Sequence, residues 1–399
     1  MINLVVKGTI LTLVASVLSY IGQVILIKNF GYSARGVFEI MSSIVGISST
    51  LFSFNYYTVL NIFVADHAAI PRNHHAINLA ISLVQTLSAL LIIIFLYSNT
   101  DTYSEVFVAL ILITVVLNHF SSFGIAIFNG KQMFLKAKIL SIPGYLIALI
   151  LLMSGIKFKD PNLSAYIFFC LPYVVPGLYV IFLYLKRSEI LNISDFSMSF
   201  REFFSRSSSV YFISISQIIF QKFFIIWCSS FEAISSIGTF GFAVSIGQFL
   251  LMPITFIATI ILSDKDLSQK RLNKFMLVSL GYALITVLVI RIGYYLIGLL
   301  NINFGVFGNN DFFENLVITV FAIPFCALTI LNVASSIRLN KVKKTLIFSQ
   351  GFSVFIAIGI YQGVKLFQLS NHPMAIAFLF TNIVLVIFSI NWREFIFEN

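Results

Sequence analysis

Charge is what this sequence has least of: Asp, Glu, Lys and Arg make up 10% of its 399 residues, against 59% hydrophobic residues. A soluble globular chain carries about 25% charged and 45–50% apolar residues. So few charges cannot cover a folded soluble surface, which excludes a soluble enzyme or a nucleic-acid-binding domain. The three cysteines, Cys170, Cys228 and Cys326, are odd in number, far apart and without metal-ligand spacing. They give neither a disulfide framework nor a metal site and read as small core residues. The five histidines form no HExxH pattern, and His74 and His75 read as solvated residues of a polar loop. There is no GxxxxGK[ST] loop and no soluble domain to carry one, so the sequence gives no sign of ATP use and no cofactor is expected.

What is present is apolar sequence in long runs, with a mean hydropathy of +0.99. Windows of about 20 residues predict twelve spans: 8–29, 37–64, 77–97, 105–129, 139–156, 163–185, 208–229, 236–262, 275–297, 312–336, 346–364 and 374–392. The first run is too long for a signal-peptide core and lacks a small-residue cleavage site, so it is expected to remain as a span. The fold class expected is therefore an all-α integral membrane protein of about twelve transmembrane helices.

Lys and Arg alternate between the connections. Eighteen lie on the side of the N-terminus, including Arg72, Lys131, Lys136, Lys186, Arg201 and Lys274, and five on the other: Lys28, Arg35, Lys157, Lys159 and Lys365. The positive-inside rule puts both termini in the cytoplasm. The net charge of +10 is accordingly a topology signal and implies no nucleic-acid partner.

The longest connection, residues 186–207, divides the chain into a predicted bundle at 1–185 and another at 208–399. Gly36-Val37-Phe38 opens the second span and Gly238-Thr239-Phe240 the eighth, and Asp66 and Asp264 begin the loops that follow them. This correspondence predicts two six-helix bundles related by an axis along the membrane normal.

Thr12, Ser16, Ser19 and Gln23 recur on one face of the first span, and Ser214, Gln217 and Gln221 on one face of the seventh. Ser and Thr suit helix packing in membranes, but the bulkier Gln favours a hydrated cavity. Prolines 172, 176, 253 and 324 are expected to kink their helices. Lys222 and Arg291 fall inside spans, where a cation costs about 2.5–3.5 kcal/mol and faces a cavity or a partner. Snorkelling to the outer interface is the alternative. Lys28 and Arg35 flank the first outer turn and are expected at the cavity mouth. With few acids in the spans, a central site is expected to be cationic and suited to an anionic ligand. Glu39, at the start of the second span, is the candidate coupling carboxylate.

The stretch from Ile21 to Asp66 resembles the opening two spans of the polysaccharide-repeat flippases. These are the Wzx-type O-antigen transporters of the multidrug/oligosaccharidyl-lipid/polysaccharide exporter (MOP) superfamily. Asn29, Phe30 and Gly31 follow the first span, Gly36 and Phe38 open the next, and Ser43, Gly46, Ser49, Ser53 and Phe54 continue it. The segment Tyr32–Ala34 departs from the family, which is more apolar and Leu-Gly-rich there. The family has no strict catalytic signature, so only the cationic cavity residues carry over as a class: Lys222, Arg291, Lys28 and Arg35.

The resemblance implies a MATE-like architecture and a non-enzymatic transporter in the bacterial inner membrane. It would move an undecaprenyl-diphosphate-linked oligosaccharide, the O-antigen repeat unit of lipopolysaccharide, from the cytoplasmic to the periplasmic leaflet. Its implied partners are that lipid-linked substrate, the membrane lipids and other polysaccharide-assembly membrane proteins. The physics agrees: each sugar hydroxyl crossing hydrocarbon unpartnered costs ~2–7 kcal/mol, so a polar path is needed. A multidrug exporter of the same superfamily would be expected to place an acid in the first span. A polymerase or ligase would be expected to show a long periplasmic loop, and a lipid II flippase fourteen spans.

Overall fold

The computed structural model describes residues 2–53, 56–67, 69–97, 105–131, 133–140, 142–154, 161–186, 193, 222–251, 253–254, 257–258, 269–300, 309–338 and 344–389. Among them regular structure is helical, apart from an isolated parallel bridge between Ile70 and Ile193. The helices are α1 (Ile2–Leu51), α2 (Tyr56–His67), α3 (His74–Tyr97), α4 (Glu105–Gly130), α5 (Phe134–Ile139), α6 (Ile142–Met153) and α7 (Pro161–Leu185). They continue as α8 (Phe224–Cys228), α9 (Ile234–Leu250), α10 (Gln269–Leu300), α11 (Asn310–Phe321), α12 (Ile323–Arg338), α13 (Lys344–Leu366) and α14 (Pro373–Ser389).

Among the described residues six helices are long and apolar enough to cross a membrane, and the bent pair α11–α12 adds a seventh. Their outward faces carry large apolar side chains such as Leu79, Leu91, Ile150, Leu277 and Leu288. A soluble protein does not expose so much contiguous hydrocarbon; the chain is a multi-pass membrane protein.

The helices depart from the predicted spans at identifiable places. Within α1, Gly31 has φ 79° and ψ 178°, a conformation open to glycine, and it separates a limb at 2–30 from one at 32–51. The second span thus resumes immediately after Gly31 and not at 37. It then breaks again between Leu51 and Tyr56. The predicted fifth span, 139–156, is helical as α6 from Ile142, and the short α5 precedes it. Pro324 acts as expected: it cannot donate to the preceding turn, and α11 stops at Phe321 before α12 restarts 40° away. Pro172 and Pro176, by contrast, lie inside an α7 that runs on through both.

Two compact units make up the chain, one of residues 1–218 and 225–235, the other of 219–224 and 236–399. In the first unit α4 and α7 pack closely, Gly177 against the Leu117 carbonyl and Gly124 against Val180. Thr114 Oγ1 donates to Cys170 Sγ across the same interface at 3.0 Å. Small residues let membrane helices approach in this way. In the second unit α13 and α14 pair, and the core is aromatic: Phe224, Phe240, Phe242, Phe312 and Tyr361 are all almost fully buried. Cys170, Cys228 and Cys326 are buried thiols outside any disulfide, in line with a packing role.

Gly144 of α6 faces the Leu171 carbonyl of α7, and a Cβ there would lie 2.6 Å from that oxygen. Gly144→Ala must therefore push α6 off α7. A cost of about 1–3 kcal/mol is expected, seen as a lower unfolding temperature in detergent. Gly281→Ala, with nothing within 4 Å of the new methyl, should leave that temperature unchanged or slightly raised.

Candidate functional site

The reversal at Gly31 builds the strongest polar feature of the first unit. Twelve residues of continuous helix would separate Gln23 from Arg35 by ~18 Å. Instead Arg35 Nε donates to Gln23 Oε1 at 3.1 Å. Because the helix resumes at 32, Arg35 and Glu39 sit one turn apart on one face, and Arg35 Nη1 lies 2.7 Å from Glu39 Oε2. The guanidinium also stands 4.8 Å from the centre of the Phe38 ring. Gln23 Nε2 donates in turn to Ser19 Oγ at 3.3 Å, and Tyr145 hydrogen-bonds the same serine. Arg35 is 0% exposed and Glu39 5%. The result is a polar line inside membrane-spanning helix, from half-buried Ser19 through the buried Gln23, Arg35 and Glu39.

The residues expected to line a cavity are distributed as follows. Ser16 and Ser19 are half-buried and Gln23 is buried. Thr12 lies in helical backbone of α1, and its side chain, with Ser214, Gln217 and Gln221, falls outside the described residues. Lys28 is exposed just before the Gly31 reversal, whereas Arg35, expected beside it at a cavity mouth, is enclosed and paired with Glu39. Lys222 is half-buried immediately before α8. Arg291 is on an exposed face of α10 among Leu288, Ile292 and Tyr295, a setting that suits a snorkelling cation.

His74 corrects the expectation of a solvated loop. It opens α3, is 1% exposed and bonds the Pro71 carbonyl through Nδ1 at 2.7 Å. Tyr184 of α7 reaches both His74 and His75 with its hydroxyl, which seals the ring in place. Among the described residues no cluster of three or more His, Cys, Asp or Glu could hold a metal ion.

Sequence reasoning missed a second buried polar group where α1, α2, α3 and α4 meet. Tyr57 Oη and His119 Nδ1 are 2.9 Å apart, and His119 Nε2 lies 3.2 Å from Asn78 Oδ1. Gln85 Nε2 donates to Tyr57 Oη at 3.3 Å and to the Ser49 carbonyl at 3.0 Å. Asn118 Nδ2 donates to Ser49 Oγ at 2.7 Å. A signal existed: Asn78 and Gln85 are two turns apart on one face of α3, and Asn118-His119 interrupts an apolar run.

No family model matches the chain, and no curated protein matches it by sequence. Solved structures do share its fold. The lipid II flippase MurJ in an inward closed conformation aligns with a TM-score of 0.64 at 15% identity, covering 96% of this chain and 86% of that one. A multidrug resistance MATE family transporter of the MOP superfamily, outward-facing, aligns at 0.59 and 14% identity over 98% and 94%. A MOP superfamily transporter from Pyrococcus furiosus, described by the reversed polarity of its binding pocket, aligns at 0.60 and 14% over 98% and 94%. At such identities the likeness is one of fold: the chain has the architecture shared by MATE and MurJ transporters.

Proposed function

We propose that this chain is a flippase of the MOP type that carries an undecaprenyl-diphosphate-linked oligosaccharide, an O-antigen or similar polysaccharide repeat unit, across the bacterial inner membrane. It would work from the cytoplasmic to the periplasmic leaflet by alternating access, with twelve spans in two sets of six and both termini in the cytoplasm. The observation that carries the reading is Arg35, a guanidinium wholly buried in a membrane-spanning helix in a chain with the fold of a lipid II flippase.

Burying a cation in hydrocarbon is costly unless it serves a path or a partner. Glu39 supplies a partner through one carboxylate. A guanidinium binds phosphate with the same forked geometry as carboxylate, and a diphosphate brings more charge. An arriving diphosphate can therefore displace Glu39, and protonation of Glu39 would favour the exchange, which is the sense in which it is a coupling carboxylate. Gln23 and Ser19 continue the line with groups that suit sugar hydroxyls. Lys28 in the first unit, and Lys222 and Arg291 in the second, are the further cations proposed to meet anionic substrate.

The multidrug reading is favoured by one observation, the comparable likeness to a multidrug resistance transporter. One experiment separates the two. Deleting the gene should cause undecaprenyl-diphosphate repeat units to accumulate on the cytoplasmic leaflet, with surface polysaccharide lost. Normal polysaccharide with increased sensitivity to cationic dyes would establish the multidrug exporter instead. Accumulation of units already in the periplasmic leaflet but unpolymerised would overturn both in favour of a polymerase.

A further inference from the structure

The hub around His119 has no place in the reading above, and its hydrogen-bond chemistry is unusually constrained. Asn78 Oδ1 is only an acceptor, so the His119 Nε2 facing it at 3.2 Å carries a proton. In the neutral ring Nδ1 is then an acceptor, and the Tyr57 hydroxyl 2.9 Å away donates to it. Tyr57 in turn accepts from Gln85 Nε2. The same Gln85 amide nitrogen serves the Ser49 carbonyl, which lies in the last turn of α1 where helix carbonyls have no intrahelical donor. The chain of bonds thus runs Asn78, His119, Tyr57, Gln85, Ser49, and it ends on the break between α1 and α2.

We propose that His119 is a proton-binding site that governs this break, the proton being taken up on Nδ1. A protonated Nδ1 must donate, so the Tyr57 hydroxyl must become its acceptor and turn its own proton elsewhere. Among the described residues the unfilled buried acceptor in the hub is Gln85 Oε1, which has no hydrogen-bond partner there. Taking that proton requires the Gln85 amide to rotate, which withdraws Nε2 from the Ser49 carbonyl. Proton uptake therefore releases the end of α1.

Charged groups nearby do not hold the imidazole in place of this chain. The elements packed on α4 are α1, α2, α3, α5 and α7. On α1, Arg35 and Glu39 pair with each other and Lys28 is exposed. Lys136 on α5 and Glu105 on α4 itself are exposed. His74 and His75 on α3 are engaged by Pro71 and Tyr184. Among the residues of these elements whose side chains are described, the remaining titratable groups are Tyr20 and Tyr32 on α1, Tyr56 on α2, and Cys170 with tyrosines 166, 173, 179 and 184 on α7, with Lys131 just after α4. None of them is an acid that pairs with His119. A charged ring is consequently better accommodated in an opened, hydrated hub, and the neutral ring in the closed one.

The sign follows: the closed hub is favoured at high pH and loses stability once pH falls below about 6.5, where an open imidazole protonates. Hydrogen exchange of the purified full-length chain in nanodiscs, followed at residues 49–57 from pH ~8 to ~5 and corrected for intrinsic rates, tests this. Protection there should fall with pH, by up to about tenfold per unit for one proton. His119→Gln keeps a donor and an acceptor without titrating and should be flat. Tyr57→Phe removes the hydroxyl through which the ring acts on Gln85 and should also flatten the profile. A flat wild type, or a Tyr57→Phe profile identical to a pH-dependent wild type, would overturn the proposal. So would a pH dependence that survives in His119→Gln.

Discussion

Arg35→Ala should lower the stability of the protein by about 3–5 kcal/mol, the usual effect of removing one partner from a buried ion pair. Glu39 would be left charged and enclosed, and Gln23 Oε1 would lose its 3.1 Å donor. Glu39→Ala should cost a similar amount, because it strands a guanidinium that is 0% exposed. The informative variant is the double one. Arg35→Met with Glu39→Leu replaces the pair by apolar side chains of similar volume, a change that is often neutral for stability. Unfolding temperature in detergent should therefore return close to wild type, whereas surface polysaccharide should remain absent for want of the cation. Recovery of both stability and export by the double variant would make the pair a packing device alone and remove Arg35 from transport.

The sequence holds both members of that pair, yet it shows Arg35 as a cavity-mouth cation and Glu39 as a lone carboxylate. The reason is one residue. A turn running to residue 36 puts Arg35 in a loop, but Gly31 alone reverses the chain through its positive φ, so the helix already covers Arg35 and the i, i+4 relation applies. The polar face of the first span was legible because period 3.6 shows directly in Ser16, Ser19 and Gln23. Positions of apolar helices were legible for the same reason, since hydrocarbon thickness fixes their length.

Features set by tertiary partners were not. His74 reads as a loop residue by every local criterion, and only the Pro71 carbonyl and Tyr184 make its burial affordable. The His119 hub draws on four helices, and a hydropathy window averages away the one or two polar residues that each supplies. The helix break after Leu51 has neither proline nor glycine beside it, so composition could not announce it, whereas Pro143 at the start of α6 is a local signal for the end of α5. Pro324 could be read, because the missing N–H acts within its own turn.

Lys222 provides the largest effect expected in the second unit. It is half-buried at the start of α8, and as a substrate cation it should tolerate Arg better than Ala. Arginine keeps the charge but changes a compact ammonium into a planar fork, so Lys222→Arg should retain part of export. Lys222→Ala should lose most of it, by roughly tenfold or more if a charge-assisted bond of about 1.5–3 kcal/mol is removed. Lys222→Glu should be worst, because it sets like charge against the diphosphate. A snorkelling lysine predicts a different order. Its ammonium serves only to reach the interface, so alanine, which removes the embedded charge, should leave both protein level and polysaccharide display near wild type. Glutamate would then matter only through folding. Membrane abundance must be measured beside surface polysaccharide for each variant, since a misfolded chain also exports nothing. Normal display by well-expressed Lys222→Glu would exclude contact between this residue and an anionic substrate.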